Sequence, residues 1–311
     1  MRFEGLDIIR CLAISGVFLF HCEFGFKAGY IGVDMFFVLS GFLMGGYFDK
    51  LIDQSTLRSK ISFLIRRGLR IWPLYYAVLI ATGIVLGLDG RPLSFLEWSS
   101  FLLYVNNYTA YYIEELGHLW SLCIEEHFYL AIPLVVLVFT KQKLIESRAL
   151  FLVIVLMGAL FLKHFFSHPD APFTSHARVY ELFAGVLLYQ LKPMVSLGKL
   201  YSRIIFCSLL LAAVLIMQID LKEFLGEWTG IVLGLVFSLL ILSSLQIQTP
   251  ITSFFYHFSN LSYGIYLIHV PVLIFLGNGL LGIISCLILA VFCRNVIEVP
   301  FLNLRDKYLT I

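Results

Sequence analysis

The sequence predicts an all-α protein, a polytopic helical bundle that is integral to a membrane, and two observations support this prediction. Of the 311 residues, 60% are hydrophobic and only 14% are charged, and the mean hydropathy is +0.91. This lies well outside the composition of soluble globular domains. Apolar stretches of roughly 20 residues, long enough to cross the hydrocarbon core, recur with only short polar breaks. We therefore expect a single membrane-embedded domain over residues 1–311.

About ten transmembrane helices are expected, because backbone polar groups in lipid must be satisfied within helices. The segment 95–112 is left out, since it begins apolar but continues into Asn106, Asn107 and a run of tyrosines suited to a membrane interface. It is expected to lie at the interface or to re-enter. The ten spans are placed near residues 8–24, 30–48, 70–88, 119–139, 150–166, 176–191, 203–219, 228–245, 259–276 and 279–299.

Loop charge predicts the orientation and limits the partners. The stretch 49–70 is rich in lysine and arginine and holds few acidic residues, so the positive-inside rule places it in the cytoplasm together with both termini. The formal net charge of the chain is only +2, and its basic residues are scattered among helix ends. This pattern excludes nucleic acid as an expected partner.

Arg10 and His21 share the first predicted span. They are eleven residues apart, just over three helical turns, so both lie on one face and about 16 Å apart along the axis. Ionisable groups inside spans are costly and are functional candidates. We interpret His21 as a general base, because an imidazole titrates near neutrality and can take a proton from an attacking alcohol. The alternative is a buried, hydrogen-bonded histidine.

Asp34 begins the second predicted span, and the short connection places it near His21. A carboxylate there would orient the imidazole and stabilise its protonated form. Alternatively, Asp34 caps the second helix at its amino end, where the helix dipole favours acidic residues.

Three arginines, Arg66, Arg67 and Arg70, crowd the cytoplasmic entrance of the third predicted span. Guanidinium groups suit bidentate binding of phosphates. Anchoring by the positive-inside rule alone also places arginines at such a helix start. The sequence leaves these two interpretations open.

Further charged residues predict a polar interior cavity, since carboxylates and arginines in lipid need partners. They are Glu125 and Glu126 in the fourth span, which also holds Trp120, then Arg178 and Glu181 at helical pair spacing in the sixth, and His269 in the ninth. The six cysteines lack the paired spacing of a zinc site. No metal is expected.

Six motifs in order give the chain a family resemblance over nearly its whole length. They are GLDIIRCLAISGVFLFH with GYIGVDMFFVLSGFLM, FLIRRGLRIWPLYY, HLWSLCIEEHFYLAIP, RVYELFAG, LSYGIYLIHVPV and EVPF. With them the chain resembles the membrane-bound acyltransferase family 3, typified by bacterial O-antigen and exopolysaccharide O-acetyltransferases. One departure is His127, where the family usually has glutamine after the two glutamates.

The resemblance implies transfer of an acyl group to a hydroxyl of a cell-surface or lipid-linked carbohydrate. The expected acyl group is acetyl, and the expected donor is acetyl-CoA. Membrane lipid, acyl-CoA and the carbohydrate acceptor are the expected partners, and the bacterial inner membrane the expected location. The expected roles group the residues as follows: catalysis by His21 and Asp34; donor binding by Arg10, Arg66, Arg67, Arg70, Trp120 and Glu125; acceptor binding by Ser40, Arg178, Glu181 and His269.

Three alternatives remain at this stage. Either the acceptor attacks the thioester directly, or a histidine or Ser40 first takes the acyl group as a covalent intermediate and then passes it to the acceptor. A glycan exporter or proton-coupled transporter would also carry histidines and carboxylates inside a bundle, but would not need phosphate-binding arginines. A non-catalytic subunit of a glycan assembly complex would not need His21. The acceptor's identity, the choice between acetyl and succinyl, and the oligomeric state do not follow from these residues.

Overall fold

The computed structural model describes residues 3–24, 26–54, 56–109, 113–141, 147–166, 173–195, 198–219, 225–248 and 252–308. Within these ranges the chain forms helices and the turns between them, and it forms no strand. The all-α prediction is confirmed for this part of the chain. The helices are α1 (Glu4–His21), α2 (Gly32–Gln54), α3 (Leu57–Leu88), α4 (Phe95–Leu102), α5 (Trp120–Lys141), α6 (Arg148–Phe166), α7 (Ser175–Leu191), α8 (Lys199–Ile216), α9 (Thr229–Ser244), α10 (Thr252–Leu276), α11 (Leu280–Cys293) and α12 (Val299–Tyr308).

Seven helical segments of the described residues are long and apolar enough to cross a membrane. The protein is therefore an integral membrane protein. The other three predicted spans also form helices, but α1 carries three charged residues, and α7 and α9 have only 17 and 16 residues. The count of about ten spans is not confirmed. The seven segments are Gly29–Gln54, Leu57–Leu88, Glu114–Thr140, Arg148–Phe166, Lys199–Ile216, Ser253–Leu276 and Leu280–Tyr308.

The segment predicted to stop at the interface contains α4, which has eight residues. A helix of that length rises about 12 Å, far less than the hydrocarbon thickness. Ser94 and Glu97 form a reciprocal capping box at its start, and a 3₁₀ turn, Asn106–Tyr108, follows. The described part of this segment does not cross as a helix, while residues 110–112 lie outside the described residues.

The chain divides into two compact units, and the first comprises residues 1–46 and 181–266. A continuous apolar core that includes Ile9, Met35 and Phe237 joins its helices. Helices α2 and α7 approach through glycine: a Cβ on Gly41 or on Gly185 would overlap the backbone of the other helix. Small residues allow this close approach. In lipid, where no hydrophobic effect drives helices together, the van der Waals contacts of such close packing stabilise their association.

The second unit comprises residues 47–180 and 267–311. Arg148 at the start of α6 makes ion pairs with Asp49, at 2.9 Å, and with Asp53, both near the end of α2. Buried Glu115 accepts a 2.8 Å hydrogen bond from Arg91 in the loop after α3. These ion pairs tie loops to helix ends within the unit. The prediction of one domain over 1–311 stays a prediction.

A π-helical turn, Arg294–Glu298, joins α11 to α12. Pro300 follows it and has no backbone N–H to donate to Val296, so the regular hydrogen-bond ladder of an α-helix is interrupted at this point. The turn buries Glu298, which accepts a 3.5 Å contact from Arg294. The EVPF motif thus marks a break in helix geometry that presents a carboxylate to the interior of the second unit.

Candidate active site

His21 is the last residue of α1, and its ring is half-buried in the first unit. Nδ1 lies 2.9 Å from the carbonyl oxygen of Val17, one turn earlier. A carbonyl can only accept, so Nδ1 carries the proton in this contact and Nε2 is the basic nitrogen of the neutral ring. The arrangement fixes the tautomer that a general base requires.

The chain after His21 is held by the termination of α1. The N–H of Phe24 donates to Leu19 O at 3.2 Å, and the N–H of Glu23 to Phe20 O at 3.2 Å. Glu23 has a φ of 59°, the left-handed conformation usual for the residue after a helix end but normally filled by glycine. The helix therefore ends abruptly, with His21 at its carboxyl end.

Arg10 lies on α1 as predicted, half-buried. Its Nη1 is 3.5 Å from Asp7 Oδ1, and the same carboxylate oxygen accepts a 3.0 Å hydrogen bond from Ser259 of α10. Both contacts lie within the first unit. Arg10 is thus oriented by a buried carboxylate, and its predicted role in donor binding stays a prediction.

Asp34 is buried and is the third residue of α2. A carboxylate in the first helical turn is stabilised by the helix dipole, so this placement supports the alternative interpretation of Asp34 as a helix-start residue. The start of α2 is packed tightly on α1, because a Cβ on Gly32 would overlap Ala13. The predicted pairing of Asp34 with His21 stays a prediction.

The predicted arginine cluster lies on α3, in the second unit. Arg67 stacks on two tyrosines, with its guanidinium carbon 4.9 Å from the ring of Tyr47 and 5.5 Å from the ring of Tyr129. Arg66 points to Asp306 of α12, at 3.4 Å. Cation–π contacts hold the Arg67 side chain in place without using its N–H donors.

Arg70 is exposed and lies one turn after Arg67 on α3. Arg67, Arg305 and Glu298 are near enough to act on its charge. Within the described ranges neither Arg67 nor Arg70 has a carboxylate at salt-bridge distance, whereas six other arginines do: Arg10, Arg66, Arg91, Arg148, Arg294 and Arg305. Arg67 Nε is buried with no hydrogen-bond partner among the same residues. Two guanidinium groups one turn apart thus retain donors for an anion.

Two glutamates of α5 face this cluster through different partners. Glu125 accepts a 2.8 Å hydrogen bond from the hydroxyl of Tyr129, the tyrosine under Arg67. Glu126 accepts a 3.1 Å hydrogen bond from the indole N–H of Trp72 on α3. The structure therefore brings the predicted Glu125 next to the arginines and gives Glu126 a partner, and it adds Trp72 and Tyr47, which were not predicted as site residues.

Trp120, predicted to bind the donor with Glu125, has other neighbours. Its ring is 4.7 Å from Phe173 and lies under the guanidinium of Arg178 at 5.7 Å. Trp120 and Arg178 are thus brought together near the amino end of α7. Glu181, one turn further along α7, is fully buried.

His269 is fully buried in α10. Its ring lies 5.1 Å from that of His118, whose Nε2 is 3.1 Å from the carbonyl oxygen of Leu267. Both histidines belong to the second unit, and His21 belongs to the first. His118 was missed, although it begins the motif HLWSLCIEE. Ser40 lies half-buried in α2, and its predicted role stays a prediction.

No group of three histidine, cysteine, aspartate or glutamate side chains able to hold a metal ion occurs among the residues that the structure describes. The expectation of a metal-independent reaction stays a prediction.

Comparison with known proteins gives one family and several relatives. A family model described as "Acyltransferase domain" matches residues 3–294. The chain is similar to O-acetyltransferase OatA of Staphylococcus aureus strain NCTC 8325 / PS 47 and to that of strain COL, in each case 26% identical over 309 residues, covering 88% of this chain and 51% of the relative. The chain thus spans about half the length of these curated relatives. No solved structure gives a significant match.

Proposed function

The chain belongs to the membrane-bound acyltransferase family 3, and on this basis we propose that it transfers an acetyl group from acetyl-CoA to a hydroxyl of a cell-surface or lipid-linked carbohydrate. The relatives named O-acetyltransferase support the acetyl group. The observation that supports acetyl-CoA as the donor is the pair Arg67 and Arg70. These are the two guanidinium groups of the second-unit arginine cluster that have no carboxylate partner among the described residues.

Phosphates of CoA match this pair chemically. A guanidinium has five N–H donors in a planar fork that fits a phosphate bidentately. The tyrosine rings under Arg67 fix its plane while leaving the fork available. Arg66 shares its charge with Asp306, so we assign it the lesser part of donor binding, with Arg10, Trp120 and Glu125 in supporting roles.

His21 is the proposed general base. The acceptor hydroxyl gives its proton to Nε2 as its oxygen attacks the thioester carbon; the carbon–sulfur bond then breaks, and the CoA thiolate takes the proton from Nε2. The hydrogen bond from Nδ1 to Val17 supports this role, because it sets Nε2 as the proton acceptor. Asp34 would favour the protonated ring by its charge.

The residues proposed to bind the carbohydrate acceptor are assigned from the chemistry of their side chains. Ser40, Arg178, Glu181 and His269 offer the hydroxyl, charged and imidazole groups that hydrogen-bond sugar hydroxyls. The proposed location is the bacterial inner membrane, with both termini in the cytoplasm, since the basic stretch 49–70 favours that orientation. Acetyl-CoA would then approach the arginines from the cytoplasm.

The test uses the full chain in lipid nanodiscs with radiolabelled acetyl-CoA, following CoA release and label on added membrane glycolipids. Arg67→Ala/Arg70→Ala is expected to raise KM for acetyl-CoA by a factor of ten or more, because each lost charge-assisted bond is worth about 1.5–3 kcal/mol. The matched control is Arg58→Ala, an exposed arginine at the start of α3.

For the base, His21→Gln is expected to lower kcat about 10²–10⁴-fold with little change in KM. The control His257→Gln removes an exposed histidine of the first unit. If the parent neither binds nor consumes acetyl-CoA, the acyltransferase proposal fails and transport becomes the leading function. If His21→Gln matches His257→Gln, the assignment of the base is wrong.

A further inference from the structure

A serine, a histidine and an asparagine meet at the amino end of α7. Ser175 Oγ lies 2.6 Å from His127 Nδ1 and 3.0 Å from Asn107 Nδ2. All three belong to the second unit. Ser175 and Asn107 are at least nine-tenths buried. The expected function so far uses none of them.

The hydrogen-bond directions follow from the donors available. Asn107 Nδ2 also lies 3.3 Å from the carbonyl oxygen of Phe173, which can only accept, so this atom is the amide nitrogen and it donates to Ser175 Oγ. The buried serine hydroxyl still needs an acceptor for its own proton. Among the described residues that acceptor is His127 Nδ1. His127 is therefore neutral here, with its proton on Nε2 and its lone pair toward the serine.

This is the contact between a nucleophile and its base. A serine hydroxyl is a weak nucleophile until a neighbouring base takes its proton, and 2.6 Å is within the range for such a transfer. The asparagine holds Oγ from the other side, so the hydroxyl proton stays directed at the imidazole. Asn107 Oδ1 is buried without a partner among the described residues, an expensive feature that a purely structural contact would not require.

The surroundings favour negative charge at this point. Ser175 is the first residue of α7, a 17-residue helix whose amino end carries partial positive charge. Arg178 follows one turn later, on the same side of the helix, and is held over the ring of Trp120. An oxyanion formed beside Oγ would therefore meet a helix amino end and a guanidinium.

The pair is also reachable. The His127 ring is half-buried, and the neighbouring Tyr108, with ring centroids 6.0 Å apart, is 51% exposed. An acyl group can thus approach from the side of Tyr108.

We propose that Ser175 is a nucleophile that accepts the acetyl group from acetyl-CoA, with His127 as its base, so that the reaction proceeds through a serine ester. The proposal rests on the acyltransferase function above, and it assigns the covalent relay to Ser175, where the sequence analysis considered Ser40. The acylation of Ser175 still uses Arg67 and Arg70 to bind acetyl-CoA, whereas His127 takes the role of base that direct transfer gives to His21.

The atoms balance in two steps. In the first, the Oγ proton passes to His127 Nδ1, Oγ bonds to the thioester carbon, the carbon–sulfur bond breaks, and the CoA thiolate takes the proton from Nδ1. In the second, the acceptor hydroxyl gives its proton to Nδ1 as its oxygen attacks the ester carbon. The ester bond to Oγ breaks, and Oγ recovers the proton.

The experiment is acid-quench trapping with the full chain in nanodiscs and radiolabelled acetyl-CoA, without acceptor. Parent protein is expected to release CoA in a burst near one equivalent and to carry label that peptide mapping assigns to Ser175. His127→Gln keeps a side-chain oxygen that can accept the serine hydrogen bond but cannot take its proton, and should slow acylation about 10²-fold or more. Ser175→Ala should abolish the label.

Two further variants separate chemistry from folding. Ser175→Cys restores a nucleophile and should restore the label as a thioester, which neutral hydroxylamine cleaves faster than the serine ester. Ser100→Ala, the control, removes a buried hydroxyl that donates to a carbonyl of its own helix, Glu97 O at 2.8 Å, and should label as the parent does.

The outcomes distinguish the two proposals. If the parent transfers acetyl to glycolipid while Ser175→Ala and His127→Gln keep the rate of Ser100→Ala, Ser175 has only a structural role in starting α7, and this inference is overturned. Label on Ser40 would overturn it equally. If the parent consumes no acetyl-CoA, the acyltransferase function itself is refuted, and the inference with it.

Discussion

Replacing Gly32 with alanine tests whether the close contact between α1 and α2 sets the geometry of the site. An added Cβ would lie 2.9 Å from Val17 Cγ2 and closer still to the carbonyl oxygen of Ala13. Carbon and carbonyl oxygen make contact at about 3.3–3.6 Å. The start of α2 must therefore move away from α1 by about 1 Å, and the obstacle is backbone, which cannot rotate aside.

The displacement has two consequences. Overpacking of this kind costs about 1–3 kcal/mol, so the unfolding temperature should fall. Gly32 is two residues before Asp34 and packs against the helix that ends at His21. A misplacement of about 1 Å at a reacting centre can cost 10²-fold in rate. We expect kcat for acetyl transfer to fall by about that factor, with KM for acetyl-CoA nearly unchanged.

Thermal unfolding and transfer kinetics in nanodiscs measure both effects. The control is Gly234→Ala on α9 of the same unit, where an added Cβ meets nothing within 4 Å. Both variants gain helix propensity, about 1 kcal/mol, so their difference isolates the overlap. Equal unfolding temperatures and equal kcat in the two variants would refute the reasoning.

Two other predictions concern stability outside the spans. Glu23→Gly should raise stability by about 0.5–1 kcal/mol, because Glu23 has a φ of 59° where glycine is unstrained; a lower unfolding temperature than the parent's would contradict this. The hydroxyl and the N–H of Ser94 hold the pKa of Glu97 below its ordinary value. The capping box should therefore stabilise the protein above about pH 4.3 and lose that contribution as the pH falls through the lowered pKa. Ser94→Ala should be less stable than the parent at both pH 7 and pH 3, since it also loses the bond from Glu97 N–H to the Ser94 hydroxyl. The difference should be larger at pH 7 than near pH 3, and a constant difference across this range would exclude the linkage.

Much of the helical architecture could be predicted from sequence. The ten predicted spans each correspond to a helix of the structure, because runs of about 20 apolar residues have few other solutions in lipid. Helix ends were less certain. Residue 70 was taken as the start of the third span, whereas α3 begins at Leu57, since charged residues continue a helix beyond the hydrocarbon without any change of backbone geometry.

Parts of the candidate site were also visible. Arg67 and Arg70 were singled out for spacing and charge, and the structure adds that neither has a carboxylate at salt-bridge distance in the described chain, unlike their neighbour Arg66. His21 was identified by its type and position, but its tautomer follows only from the contact with Val17. Trp72 and His118 were missed because a partner distant in sequence reveals each of them.

The sequence by itself determined that the protein lies in a lipid bilayer, that it is helical, and which family motifs it carries. These properties depend on composition and on local sequence patterns. Only the tertiary structure decided which polar groups meet. His127 is 48 residues from Ser175, and their 2.6 Å contact has no signal in either local segment. Hydropathy and helix period act over a few turns of chain, whereas the pairing of nucleophile with base, or of cation with carboxylate, is set by how whole helices pack.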